Sequence, residues 1–244
     1  GTTLVEQIVS SHSDVTGGGE LRYVSHYGFQ LATDPGFVSS SSISKFQTKY
    51  LSELSRISKG RHFITDKMPQ NFRFIPLICA AFPGAKIIHV QRNAVAVCWS
   101  NFKQYFSTQD LGYCYNLMDI KAYYELYKDL MKVWQSEYSD RIYNLDYEKL
   151  TTDQEKETRD LITHLDLTWE EACLYPHKNE LSVKTASQQQ VRKKLYQGSS
   201  KGWLQYKPFL GSVFDELEKQ LKPPPVKISK TANMHSNILN TIKL

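Results

Sequence analysis

Apolar residues recur at helical spacing from the first turn of the chain. Leu4, Val5, Ile8 and Val9 follow Gly1-Thr2-Thr3 and predict a short helix that starts at this glycine–threonine segment. Ser39 to Ser42 reads as a loop ending in an N-cap, after which Phe46, Tyr50, Leu51, Leu54 and Ile57 share one helix face. Phe72 to Phe82 predicts a helix interrupted by Pro76 and stopped by Pro83-Gly84. Val95 to Phe106 predicts another. Ile120, Tyr123, Tyr124, Tyr127, Leu130, Met131 and Trp134 form a long stripe, and aromatic residues at that spacing fit a core face better than a cofactor box. Thr152-Asp153 caps a helix holding Leu161, Ile162 and Leu165, and Thr185 to Tyr196 and Phe209 to Leu221 are further helices.

Three extended runs alternate with these helices. His62 to Thr65 is short, Lys86 to Val90 is apolar and β-branched like a buried strand, and Arg141 to Leu145 is the third. Strands alternating with helices predict an α/β domain with a parallel sheet. Asp14 to Gly19 is a turn cluster, and no internal repeat is present. Lys222-Pro223-Pro224-Pro225 is expected to end the compact part, leaving a tail over 222–244.

Composition narrows the chemistry. The chain has 244 residues, 41% hydrophobic and 23% charged, which excludes a disordered tail or a collagen-like fibre. No apolar run is long enough to span a bilayer. Lys+Arg exceed Asp+Glu by 30 to 25, a net charge of +5. The basic residues are scattered apart from Arg192-Lys193-Lys194, so no nucleic-acid partner is expected, and an anionic small ligand fits. Cys79, Cys98, Cys114 and Cys173 are far apart, and the histidines show no metal-ligand spacing, so no metal is expected. The first residue is Gly1, which reads as a processed or partial chain.

Gly1-Thr2-Thr3 before a helix is a natural seat for phosphate or sulfate: the helix's first N–H groups point outward, and the hydroxyls add donors. A nucleotide-triphosphatase loop would need G-K-[ST], and this chain has no such lysine, which counts against a kinase-like phosphotransferase.

Further segments follow in a telling order: Ser11-His12-Ser13-Asp14-Val15 into Gly18-Gly19-Glu20-Leu21, Asp66-Lys67-Met68-Pro69, and His89-Val90-Gln91-Arg92-Asn93 with Ser100. Asp146-Tyr147-Glu148-Lys149-Leu150 comes next, then Thr185-Ala186-Ser187 through Gln190-Val191-Arg192, and Ser199-Ser200-Lys201-Gly202-Trp203. With Gly1-Thr2-Thr3-Leu4, this series resembles the sulfotransferase family that uses 3′-phosphoadenosine 5′-phosphosulfate. It is similar to the bacterial tetratricopeptide-linked type and, more distantly, to tyrosylprotein sulfotransferases. The resemblance covers residues 1–221. It implies a P-loop-type, three-layer α/β domain with a central parallel sheet flanked by helices. The family's loop is P-[RK]-S-G-T-T after a strand, and the chain begins at its glycine. The first strand and the start of that loop are therefore expected to be missing, which leaves the activity of this stretch by itself an open question.

The resemblance also implies roles. Glu20 matches the base that takes the acceptor proton, although residue type alone would leave it a solvated loop glutamate. Lys67 would place its charge on the sulfuryl or bridging oxygen. Gly1, Thr2, Thr3, Arg92 and Ser100 would hold the cofactor's phosphates, Tyr147 its adenine side, and Arg192 and Lys193 late contacts. Arg92 could instead make a helix-start ion pair and Tyr147 serve as core. Arg22 would steer an acidic acceptor or orient Glu20, or lie at the surface. Asn93 stands where the family usually has Asp, which loosens an ion pair while leaving the phosphate contact. His12 is expected to be structural. The expected partner is a small-molecule or peptide hydroxyl acceptor, less readily an amine, with loops Val24 to Ser42 and Ser107 to Tyr115 around it. A non-catalytic nucleotide-binding module is the other alternative. The location implied is cytoplasmic, or the Golgi lumen if an anchor lies upstream.

Overall fold

The computed structural model describes residues 1–106, 109–181 and 188–219. Chain order begins α1 (Thr2–Val9), β1 (Val15–Gly17), α2 (Tyr23–Thr33), α3 (Ser40–Ile57), β2 (Phe63–Thr65), α4 (Ile75–Ala81), β3 (Ile87–Gln91) and α5 (Ala94–Phe102). It continues with α6 (Leu117–Glu137), β4 (Ile142–Asp146), α7 (Tyr147–Thr152), α8 (Gln154–His164), α9 (Gln188–Val191) and α10 (Asp215–Lys219). The class is α/β with parallel strands. Among the described residues the ladders are two parallel pairs: β1 with β2, Val15 opposite Phe63, and β3 with β4, Ile87 opposite Ile142. A cavity of about 1850 Å³ is shared by both pairs, with Ile64 of β2 and Ile87, Ile88 and Val90 of β3 in its wall.

The core is distributed around these ladders. Val5, Ile8 and Val9 of α1 meet Val15, Leu145, Leu150, Leu161 and Ile162 in one buried cluster. A second joins Val24, Phe46, Tyr50 and Leu77 of α2, α3 and α4. A third packs Val95, Cys98 and Trp99 of α5 on Ile120, Trp203 and Leu217. Ile75, Cys79, Met131 and Ile142 tie α4 and α6 to β4. The long aromatic stripe is a core face as expected: Tyr127 meets Phe72 edge to face, and the Trp134 Nε1–H donates to the Phe72 carbonyl at 2.9 Å. The four cysteines are free and buried.

Several expected boundaries shift for local reasons. The Ser39–Ser42 run is not a loop. Ser39 caps α3 in a reciprocal capping box with Ser42, so the helix begins inside the serine run. The expected acceptor loop Val24 to Ser42 is mostly helical, because α2 occupies Tyr23–Thr33. Gly28 in its middle reads as a breaker, yet a Cβ there would stand 2.5 Å from Leu77 Cδ2, so glycine is what lets α2 approach α4. Phe72 to Phe82 divides into a 3-10 turn over Pro69–Phe74 followed by α4, with Pro76 in its first turn. Gln109–Tyr115 is 3-10, and Ser107 and Thr108 of the second expected acceptor loop lie outside the described residues. Helix α5 stops at Phe102 rather than Phe106. Of the helix expected over Thr185 to Tyr196, residues 185–187 lie outside the described part, and among the described residues α9 covers Gln188–Val191. Within the expected helix Phe209 to Leu221 the described residues form α10 from Asp215 onward, and residues 220–221 and the expected tail over 222–244 lie outside the described part.

Leu145 sits near the end of β4, 0% exposed, in one buried cluster with residues of α1 and α8. Leu145→Ala should lower unfolding free energy by about 2–5 kcal/mol, as deletion of a buried leucine does. Denaturant titration checks this, and a change near zero would mean that the cluster tolerates the void.

Candidate active site

Parallel pairing sends every strand's carboxyl end in one direction within its ladder, and the loops after these ends carry the candidate residues. Gly17, Thr65, Gln91 and Asp146 end the strands; Glu20, Lys67, Arg92 and Tyr147 follow within three residues. Gly1 caps the start of α1. A Cβ on Gly1 would come 2.6 Å from Tyr147 Cδ2 and 3.2 Å from Val90 Cγ1, so the helix start lies against the ends of β3 and β4. Arg92 and Lys67 both bear electrostatically on Gly1, with Glu148 opposing them. Gly1 keeps exposed surface despite this crowding. Two cations therefore act at the helix start, where a bound anion would be welcome. Gly1, Thr2, Lys67 and Arg92 all line the cavity. Thr3 is buried, 6% exposed, so its side chain does not open to solvent beside Thr2.

The glycine turn is stitched to the end of β2. Gly18 N–H donates to the Thr65 carbonyl at 3.0 Å, and a Cβ there would lie 2.3 Å from that oxygen, which only glycine avoids. Lys67 N–H donates to the Gly19 carbonyl at 2.9 Å, and Lys67 Nζ donates to Glu20 Oε1 at 2.7 Å. The ammonium is 8% exposed and the carboxylate 40%, so a nearly buried cation leans on a partly solvated anion. Glu6, on α1 and buried, accepts from Gly19 N–H at 2.8 Å and from the Thr65 hydroxyl at 2.9 Å. Residue type and spacing gave no signal for it: a glutamate among the apolar positions of a short helix reads as its solvent face. Asp66 accepts from the Tyr50 hydroxyl at 2.9 Å and from Met68 N–H at 3.2 Å, which holds the turn after β2 to α3.

Arg92 Nε donates to Ser200 Oγ at 3.0 Å, and its guanidinium lies 4.8 Å from the Tyr147 ring centroid. The Tyr147 hydroxyl pairs with Ser199 Oγ at 3.1 Å. Among the described residues Arg92 makes no salt bridge. Asn93 accepts from Ala96 N–H at 2.9 Å and caps α5, while its own N–H donates to Glu148 Oε1 at 3.2 Å. The turn therefore keeps its cap without an aspartate. Ser100 is exposed on α5, two helical turns beyond Arg92, and α5 packs on the 199–201 turn.

Three candidates stand apart. Arg192 donates to the main-chain carbonyls of Asn179 and Leu181, which takes up its guanidinium on protein backbone. Neither Arg192 nor the exposed Lys193 lines the cavity. Arg22 is exposed and serves as N-cap of α2, and none of its hydrogen bonds or ion pairs reaches Glu20. His12 is 2% exposed; Nε2 meets the Thr168 carbonyl at 2.7 Å and Nδ1 accepts from Asp14 N–H at 3.1 Å, a structural role.

The chain matches the sulfotransferase family over residues 1–171 and belongs to that family. An uncharacterized protein of Aquifex aeolicus (strain VF5) is 32% identical over 246 residues, covering 93% of this chain and 32% of that protein. The chain thus spans about a third of the length of the curated relative it matches. Among solved structures, the sulfotransferase domain from the Synechococcus PCC 7002 olefin synthase superposes with a TM-score of 0.64 at 17% identity, covering 92% of both chains. The sulfotransferase domain from the curacin biosynthetic pathway gives 0.56 at 14%, covering 93% of this chain and 90% of that one. At these identities the likeness shows the fold.

Burial raises the Asp66 carboxyl to about 6 from an ordinary value of 3.8, against hydrogen bonds from Tyr50, Asn71, Met68 and Leu21. The folded chain thus holds this proton more tightly than the unfolded one. The resulting stability is complete below the ordinary value and is lost as pH rises through about 6. Asp66→Asn should remove this fall: melting temperature followed across that window should decline less in the variant, and parallel profiles would refute the shift.

Proposed function

We propose that the chain transfers a sulfuryl group from 3′-phosphoadenosine 5′-phosphosulfate to a hydroxyl, less readily an amine, on a small-molecule or peptide acceptor. The observation that carries this is the convergence of the α1 start, Lys67 and Arg92 on one cavity, with Glu20 against Lys67. The residues fit such a donor: a glycine cradle against an aromatic ring, two cations at a helix start, and an arginine without a carboxylate partner among the described residues. The donor supplies an activated sulfur–oxygen bond.

The rest falls to the chain's own groups. Gly1 and Thr2 present N–H and hydroxyl donors at the positive end of α1. Arg92, held by Ser200 and stacked on Tyr147, is pre-aimed for a phosphate, with Ser100 on the helix that follows. Glu20 accepts the acceptor proton as the new sulfur–oxygen bond forms, and Lys67 offsets the charge growing on the departing oxygen. Because the two groups are ion-paired at 2.7 Å, an acceptor hydroxyl entering beside Glu20 meets the base and the cation together. On this reading residues 1–221 are the unit that binds and reacts. Arg192 donates to the Asn179 and Leu181 carbonyls and Arg22 caps α2, so neither is assigned a donor contact here.

Calorimetry with adenosine 3′,5′-bisphosphate against ATP tests the donor site. The bisphosphate should bind more tightly, and Arg92→Ala should weaken it about 10–100-fold, the worth of charged hydrogen bonds. Equal affinity for both nucleotides, or an unchanged constant in the variant, overturns the assignment. With phenol, which keeps its proton at neutral pH, as acceptor probe, Glu20→Gln should lower kcat by about 10²–10⁴ while bisphosphate affinity stays constant. Near-normal turnover would remove Glu20 as base.

A further inference from the structure

Glu6 is the buried charged side chain that touches both loops of the reacting pair. It lies on α1 beside Val5 and near Ile8 and Val9, where an apolar residue or alanine would serve packing at less cost. One oxygen, Oε1, takes two hydrogen bonds: from Gly19 N–H at 2.8 Å and from the Thr65 hydroxyl at 2.9 Å. Gly19 is the residue before Glu20, and Thr65 stands two before Lys67. Gly19 is also held from its other side, because its carbonyl accepts from Lys67 N–H at 2.9 Å. Its φ is +70°, so the turn depends on glycine and on being clamped. The Thr65 hydroxyl accepts from Gly18 N–H at 3.2 Å while donating to Glu6, which fixes the direction of that relay.

We infer that Glu6 is a positioning residue that sets the Glu20–Lys67 geometry by joining α1, the glycine turn and the end of β2 through one carboxylate oxygen. The inference rests on Glu20 and Lys67 being the reacting pair, and it concerns their placement rather than their chemistry. The same carboxylate links the pair to the helix whose start faces the donor, so acceptor-side and donor-side groups share one fixed frame. A glutamine offers the same acceptor oxygen without the charge, so Glu6→Gln should keep the clamp, whereas Glu6→Ala should release it.

Amide hydrogen exchange on the full chain reads the clamp without any sulfuryl transfer. In Glu6→Ala the Gly19 and Lys67 amides should exchange about tenfold faster, the loss expected for a hydrogen bond to a charged group, while amides of β4 and α6 keep their rates. Glu6→Gln should restore both. Turnover of phenol should fall about tenfold in Glu6→Ala at unchanged affinity for adenosine 3′,5′-bisphosphate, a kcat effect that general loosening would not produce. If Glu6→Ala does not fold, Thr65→Val removes one donor at nearly constant volume and should speed the same amides, with Thr65→Ser restoring them. An unchanged Gly19 amide, or acceleration spread evenly over the chain, overturns the inference. A wild-type chain that yields no sulfated product overturns the proposed function instead, and the exchange rates still decide the role of Glu6.

Discussion

The parallel direction of the strands is the constraint on which the site depends. A strand that ends in a ladder delivers its next residues to the same rim as its neighbour. Here the deliveries are Glu20 after β1, Lys67 after β2, Arg92 after β3 and Tyr147 after β4. Helix α1 meets this rim with its positive end, and Gly1 is small enough to sit against Tyr147. No single residue makes this rim positive. The partial charge of a helix start, a nearly buried ammonium and a guanidinium are concentrated there because the backbone allows no other exit for them.

Burial and pairing divide the work between the two ladders. On the β1–β2 side, polar contacts run through the interior: Glu6 to Gly19 and Thr65, and Asp66 to Tyr50. Low exposure makes such bonds worth keeping whole, since one lost partner leaves a buried charge uncompensated. On the β3–β4 side the contacts are looser. Arg92 rests on an aromatic face and a serine hydroxyl, both neutral, so its full charge stays available to a ligand. One half is built for rigidity and the other for reception.

Much of this could be read along the chain, and the rest has identifiable causes. Lys67 and Arg92 stood out through the motifs Asp66 to Pro69 and His89 to Asn93 that carry the family resemblance, and not through local pattern alone. β3 was legible for its apolar, β-branched run, β4 as an extended run between helices, and α6 for its aromatic period. Helix α2 was not, since Gly28 imitates a break while serving close packing against Leu77. Arg192 was legible only as charge; its carbonyl partners at Asn179 and Leu181 depend on a tertiary approach that no local pattern encodes. Glu6 was hidden because helix spacing tells which face a residue occupies but not whether that face meets a polar turn.

The bond from Arg92 to Ser200 spans 108 residues, and that from Tyr147 to Ser199 spans 52. The Lys67–Glu20 contact spans 47. Loop closure makes distant pairs slower to find. During synthesis from the N-terminus, the half carrying Glu20 and Lys67 is complete in sequence well before the serine turn emerges. The contacts that hold Arg92 and Tyr147 therefore close late, and a nascent chain has the sequence to pair Lys67 with Glu20 before the serine turn exists.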